Sequence, residues 1–261
     1  DIIVAKPLIQ QIWFHILIII VIILMVSFIF LIIMRNRKKK NEIRVSLILS
    51  EQKALRAQMN PHFIFNSLNS IQTFILERND EKADMYLSNF SSLMRKVLEN
   101  SKYNLISLTE ELETLEMYLQ IENLRFENKF NYKIEVGPEI DTDDVMIPPS
   151  IIQPYLENAI WHGLMPKKNP GILLLKLSSL DRSFIRVEIE DDGIGIKASN
   201  ALNSKKKHHK STGMKNIEER ISLLNKITKG GFSIQISDLI KNKNENPGTK
   251  VLILIPLNIS L

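Results

Sequence analysis

The chain has no cysteine, which excludes a disulfide framework and any thiolate-based metal or redox site. Residues 12–34 contain no Asp, Glu, Lys or Arg. At about 1.5 Å per residue, those 23 residues are enough to cross a hydrocarbon core of about 30 Å. A signal peptide fits poorly, because the run is long, basic residues follow it and no small-residue cleavage site appears. The chain also lacks any spread-out excess of positive charge. Its formal net charge is +5, yet residues 35–44 hold Arg35, Arg37, Lys38, Lys39, Lys40 and Arg44 against Glu42 alone. Elsewhere basic and acidic residues are equal in number, 28 of each.

A local basic cluster argues against direct nucleic-acid binding and for a membrane boundary. Trp13 and Phe14 suit the outer interface, and the Arg/Lys cluster suits the cytoplasmic one. The expected layout is an extracytoplasmic stub over 1–11 and a transmembrane helix over 12–34. A juxtamembrane coupling helix over 35–57 follows, and the rest lies in the cytoplasm. The protein is thus expected in the inner membrane, spanning it once. The chain starts at Asp1 rather than Met, so it reads as a fragment with a preceding part missing.

The stretch from Gln58 to Ser70 reads as the start of a helix. Ile64, Leu68, Ile71 and Ile75 recur at apolar helical spacing, and His62, Asn66 and Asn69 share that spacing on another side. Pro61 lacks a backbone donor, so the helix should bend or restart just before His62. Asn79-Asp80 offers a break and an N-cap. Ala83, Leu87, Phe90, Met94 and Val97 then form a heptad seam of the kind found in helical bundles. Two such helices cannot bury both faces alone, and a homodimer giving four helices would. Ser107-Leu108-Thr109-Glu110 reads as a capping box opening a linker helix, with Leu112, Leu115 and Leu119 on one side.

From Phe130 the pattern changes. Phe130–Val136, Ile172–Leu177, Ile185–Ile189, Phe232–Ile236 and Lys250–Ile255 are short alternating or apolar runs that predict strands. Helices are expected near Ile151–His162 and Met214–Ile227. The result is a mixed sheet with helices on one face, an α+β layer.

The segment Gln58-Met59-Asn60-Pro61-His62-Phe63-Ile64-Phe65-Asn66-Ser67-Leu68-Asn69 resembles the phosphoacceptor box of the LytS-type (YehU-like) sensor histidine kinases. It meets every fixed position of Q-x-N-P-H-F-x-F-N-x-L-N. Leu108 to Phe126 resembles the same family's L-x-x-E-L…Y-L…R-F signature. Four later segments resemble the nucleotide-binding boxes of the GHKL (Bergerat) fold. They are the N box Pro148–Gly163, the D-x-G-x-G of Asp191-Asp192-Gly193-Ile194-Gly195, Ser211-Thr212-Gly213-Met214, and Gly248-Thr249. The resemblance therefore implies a dimerisation and phosphoacceptor region over 58–128 and an ATP-binding α+β sandwich over 129–261.

Roles follow from that resemblance. Asn158 takes the Mg²⁺ role, an oxygen ligand for an ion that keeps waters and phosphate oxygens around it. His162, one turn later, faces the nucleotide. Asp191 accepts from the adenine amino group, and Gly193 and Gly195 let the backbone approach the base. Gly213 and Met214 open a helix whose free N–H groups attract phosphate, and Ser211 replaces the first glycine of the usual pair. Lys210 closes a cationic lid over 197–210, and Asp192 faces solvent. Water-splitting relatives of the fold carry a Glu one turn before the Mg²⁺ Asn, where this chain has Pro154. That absence favours transfer to a side chain over hydrolysis. Many histidine kinases place an acid directly after the phosphoacceptor, and here Phe63 stands there, so the base is unassigned.

The function implied is a sensor histidine kinase that autophosphorylates His62 from Mg·ATP. It then passes the phosphoryl group to an Asp of a response regulator of the LytTR type, with Asn66 orienting water for dephosphorylation. The alternative is a non-catalytic nucleotide-binding membrane receptor, for which Ser211 and the missing base speak.

Overall fold

The computed structural model describes residues 17, 19–20, 22–38, 61–181, 183–205, 219, 221–222, 224–226, 231–239 and 247–257. The side chains of 61, 62 and 203–205 fall outside that description. The chain divides into two units, Asp1–Leu49 and Ser50–Leu261. In the first, residues 22–38 form helix α1. Its apolar side chains are exposed on every side, from 44% at Ile32 to 65% at Phe28. Among the described residues no helix is long and apolar enough to cross a membrane. Of the expected span, residues 12–16, 18 and 21 lie outside the described set.

The second unit opens with a hairpin of α2 (Pro61–Leu76) and α3 (Asp80–Asn100). Pro61 occupies the first helical position, where a missing N–H costs nothing. Asn79 caps α3, its side chain accepting from the Lys82 N–H at 3.2 Å. The expected seams hold in part, through Ile71 of α2 and Ala83, Phe90 and Val97 of α3. On α2 the core-facing residues are Phe63, Ser67, Ile71 and Phe74, while Leu68 and Ile75 are more than half exposed. On α3 they are Ala83, Tyr86, Phe90, Leu93 and Val97, and Leu87 is 47% exposed. The cause is a polar contact at the heart of the hairpin. The small Ser67 admits the ring of Tyr86, whose hydroxyl donates to Ser67 Oγ at 3.3 Å.

Strand β1 (Ile106–Ser107) pairs antiparallel with β3 (Met146–Ile147). Between them in sequence lie α4 (Leu108–Arg125) and β2 (Phe130–Val136). Ser107 and Glu110 make the capping box, each side chain accepting from the other's backbone N–H. Helix α5 (Gln153–Asn158) runs on into a π-helical turn, Ala159–Leu164, where an α-helix was expected. Its hallmark is the Met165 N–H donating to the carbonyl of Ile160 at 2.9 Å.

The main sheet adds β4 (Gly171–Leu180), β5 (Phe184–Asp191), β6 (Ser233–Asp238) and β7 (Thr249–Pro256), in the order β2-β4-β5-β7-β6. Among the described strands only β2 and β4 pair in parallel. Leu173, Leu175 and Leu177 of β4, Ile185, Val187 and Ile189 of β5, and Val251, Ile253 and Ile255 of β7 point into one core. Each such side chain contributes about 1.5–3 kcal/mol on burial. Tyr155, Leu156, Ile160 and Leu164 join the same core from α5 and the π turn. The alternate residues make a charged ladder, with Lys250 Nζ reaching Glu188 at 2.6 Å and Glu190 at 2.9 Å. The architecture is therefore α+β. One correction concerns the lid: residues 195–205, expected as loop from 197, form helix α6 (Gly195–Lys205). Lys206, Lys207 and Lys210 lie outside the described residues.

Candidate functional site

Strand β5 ends on Asp191, and this carboxylate organises the site. It is only 2% exposed, and its Oδ1 accepts from the Gly193 N–H at 2.9 Å. The strand register sets Thr249 of β7 directly opposite. Burial pushes the Asp191 carboxyl up to about 6, while the Gly193 N–H and the Thr249 donors pull it down.

Three glycines allow this crowding. A side chain at Gly163 would begin 2.7 Å from Asp191 Oδ1, and one at Gly193 would run into the Gly163 carbonyl and sit 2.6 Å from Asp191 Oδ1. The same π turn is tied down where the Ile194 N–H donates to the Gly163 carbonyl at 3.1 Å. Gly248 has φ +62°, and a Cβ there would run into the Asp191 carbonyl oxygen. Gly195, at φ +79°, opens α6, and the next amide, Ile196 N–H, donates to Asp238 Oδ1 at 2.9 Å. Asp191, Gly193, Gly248 and Thr249 thus meet at one strand end, joined by Gly163 from the π turn.

Asn158 closes α5 half-buried, and His162 on the π turn is exposed. Asn158 offers one neutral oxygen, and the described residues contain no cluster of three or more His, Asp or Glu able to hold a metal. That donor set fits an ion that takes most of its shell from phosphate oxygens and water. Lys210, Ser211, Gly213 and Met214 lie outside the described residues. Asp192 does not simply face solvent. Its Oδ1 accepts from the Ile172 N–H at 2.8 Å, and its Oδ2 pairs with Lys167 at 2.8 Å.

His62 and Asn66 belong to α2, a different element from the Asp191 cluster. The helix carrying them touches α4 through Phe63, whose ring lies 5.7 Å from that of Tyr118 and 6.0 Å from that of Phe90.

Two carboxylates were missed by the sequence reading. Glu111, 1% exposed, accepts from the Ser150 N–H at 2.8 Å and the Ile152 N–H at 3.4 Å, just ahead of α5. In sequence it is the E of the L-x-x-E-L signature, given no role there and otherwise looking like an ordinary first-turn acid. Glu122 is fully buried, and burial together with Glu157 pushes its carboxyl up to about 7 against the pull of Arg125. Only the Y-L…R-F signature around it gave a signal.

A carboxyl whose folded pKa exceeds its unfolded one costs nothing below about pH 4.5 and destabilises increasingly as pH rises to about 7. Glu122→Gln should therefore be more stable than wild type at pH 8, by up to about 3 kcal/mol and with a higher melting temperature, and equally stable near pH 4.5. Equal melting of wild type and variant at pH 8 would contradict this.

Residues 50–130 match the family model described as histidine kinase. The chain is similar to the sensor histidine kinase/phosphatase LytS of Staphylococcus aureus, 36% identical over 147 residues, covering 56% of this chain and 25% of that protein. It thus spans about a quarter of the length of the curated relatives it matches. Among solved structures it is similar to the Acinetobacter baumannii histidine kinase AdeS, with TM-score 0.41 and 18% identity, covering 81% of this chain and 95% of that one. It is likewise similar to the histidine kinase domain of the Erythrobacter litoralis blue-light activated kinase, with TM-score 0.40 and 18% identity, covering 65% and 75%. Residues 50–130 thus carry the pattern of the histidine kinase family, and 147 residues of the chain are similar to LytS.

Proposed function

We propose that this chain is the membrane-anchored kinase part of a two-component sensor, transferring the terminal phosphoryl group of ATP to His62. What carries the reading is the buried Asp191 carboxylate with Gly163, Gly193, Gly248 and Thr249 packed about it, in one compact unit with the histidine helix. A buried carboxylate with glycines beside it suits a planar base bearing an amino group. Asp191 accepts from that amino group, and Gly193 and Gly195 keep side chains out of the base's way. Asn158 and the sequence box Ser211-Thr212-Gly213-Met214, preceded in sequence by Lys210, serve the phosphates, with His162 toward the nucleotide. Mg²⁺, when bound at Asn158, neutralises charge on the phosphate oxygens.

Imidazole is partly neutral at physiological pH and nucleophilic without further activation. A ring nitrogen of His62 attacks the γ-phosphorus, the bond to the β-γ bridging oxygen breaks, and ADP leaves. The group then passes to an Asp of a response regulator, of the LytTR type. Asn66, one turn after His62, orients water for the reverse, dephosphorylating step. Pro154 stands where a water-activating acid would be needed, which supports side-chain transfer. Labelled ATP tests the reading directly: wild type should acquire acid-labile label, and Asn158→Ala should lose its Mg²⁺-dependent nucleotide binding and its label together. Undiminished labelling of Asn158→Ala would contradict the site.

Two further features complete the reading. The apolar side chains exposed around α1 suit a hydrocarbon surrounding, with residues 12–34 as the span. Phe65, Leu68, Ile75 and Leu76 of α2 and Leu87 and Leu98 of α3 are 47–76% exposed, an apolar surface that a second copy would cover. Leu68→Asp with Ile75→Asp should convert a dimer into a monomer by light scattering. A wild-type monomer would refute the homodimer.

A further inference from the structure

Glu122 is the least expected side chain of the second unit. Its exposure is 0%, and among the described residues neither carboxylate oxygen accepts a hydrogen bond. Its ion-pair partner Arg125 is distant, with Nη1 at 3.7 Å from Oε1. That guanidinium is engaged elsewhere, stacked 4.6 Å over Trp161 and 5.1 Å over Phe126. Trp161 stands on the π turn that follows Asn158, and Phe126 meets it edge-on at 5.2 Å. One turn before Glu122 on α4, Tyr118 packs against Phe63, the neighbour of His62 in sequence. Positions 118, 122 and 125–126 follow one face of α4 at spacings of about four and three residues. A single helix face therefore touches both the helix of His62 and the segment of Asn158, with a buried acid between the two contacts.

The groups facing Glu122 are few. From its own helix come Arg125 and Tyr118, from α3 Tyr86, and from α5 Glu157. Both phenols are held above their ordinary range by burial and stay neutral. Glu157 repels a charge on Glu122, and a distant, stacked guanidinium compensates it poorly. An unpaired charge buried there is costly, whereas the uncharged acid is tolerated.

On the kinase reading above, we propose that Glu122 is a positioning residue for phosphoryl transfer. Uncharged, it lets α4 seat the Asn158 segment against the helix of His62. Ionised, it loosens that seat and slows transfer without emptying the nucleotide pocket. Burial places the change in the working range, since the Glu122 carboxyl is pushed up to about 7.

The test is the pH profile of autophosphorylation by the full chain in lipid nanodiscs, beside its affinity for a fluorescent ATP analogue. If only the uncharged acid supports transfer, the wild-type rate at saturating ATP falls about tenfold from pH 7 to pH 8.5. Nucleotide affinity stays level, and Glu122→Gln abolishes the fall. A second variant, Glu157→Gln, removes the repulsion and moves the fall to lower pH. A level wild-type profile, the same fall in Glu122→Gln, or a fall matched by lost nucleotide affinity overturns the positioning role and leaves the kinase reading intact. A wild type that binds the analogue but takes no label at any pH overturns both.

Discussion

Replacing His62 with glutamine is expected to abolish acid-labile labelling from ATP while nucleotide affinity stays within about twofold of wild type. A glutamine amide is a similar size and keeps hydrogen-bonding capacity, but its nitrogen lone pair is delocalised and does not attack phosphorus. The substitution sits on α2, a separate element from the strand end that gathers Asp191, Gly193, Gly248 and Thr249. Binding and chemistry should therefore separate cleanly. Two measurements read it: filter-bound label after acid and alkaline washes, and titration with a fluorescent ATP analogue. Label surviving in the variant would assign the chemistry to another residue.

The second large effect is expected from one methyl group. In Gly193→Ala the new Cβ would lie 2.6 Å from Asp191 Oδ1 and run into the carbonyl group of Gly163. The second obstacle is backbone, so no rotamer change relieves it. The Ile194 N–H to Gly163 carbonyl bond ties the two segments together, and relief means moving the π turn off Asp191. Overpacking of this kind costs about 1–3 kcal/mol. If that cost is paid in the pocket, ATP affinity falls about tenfold to a hundredfold, with labelling recovered in part at high ATP. Unchanged affinity would mean that the base does not sit against this glycine.

Much of this fold is legible in the sequence because its signals are local. The alternation in Phe130–Val136 and in 184–191 announces strands, and the residues that cap α3 and α4, Asn79 and Ser107, are nearly unambiguous. The hairpin faces were read only in part, because counting apolar residues misses the hydroxyls that share the interior. Ser67 with Tyr86, and Asn100 donating to Thr114 Oγ1 at 3.2 Å, occupy the inside. The equally apolar Leu68, Ile75 and Leu87 are left outside.

The site was legible as motifs but not as contacts. That Gly163 of one box and Gly193 of another share the space beside one carboxylate follows from sheet register and a π turn, which no spacing announces. Glu122 is further out of reach. A carboxylate is buried by its neighbours, here Arg125 on its own helix with Tyr86 and Glu157 from two other elements, and its own sequence context reads as a solvated helix.

The central claim is that a nucleotide held beside Asp191 gives up its terminal phosphate to the imidazole of His62. Wild-type chain in nanodiscs, incubated with Mg·ATP and digested under alkaline conditions, can be mapped for phosphate by mass spectrometry. The account predicts one modified peptide, with the group on His62 and lost on acid treatment. Phosphate on another residue, or ATP bound with none transferred, would contradict it.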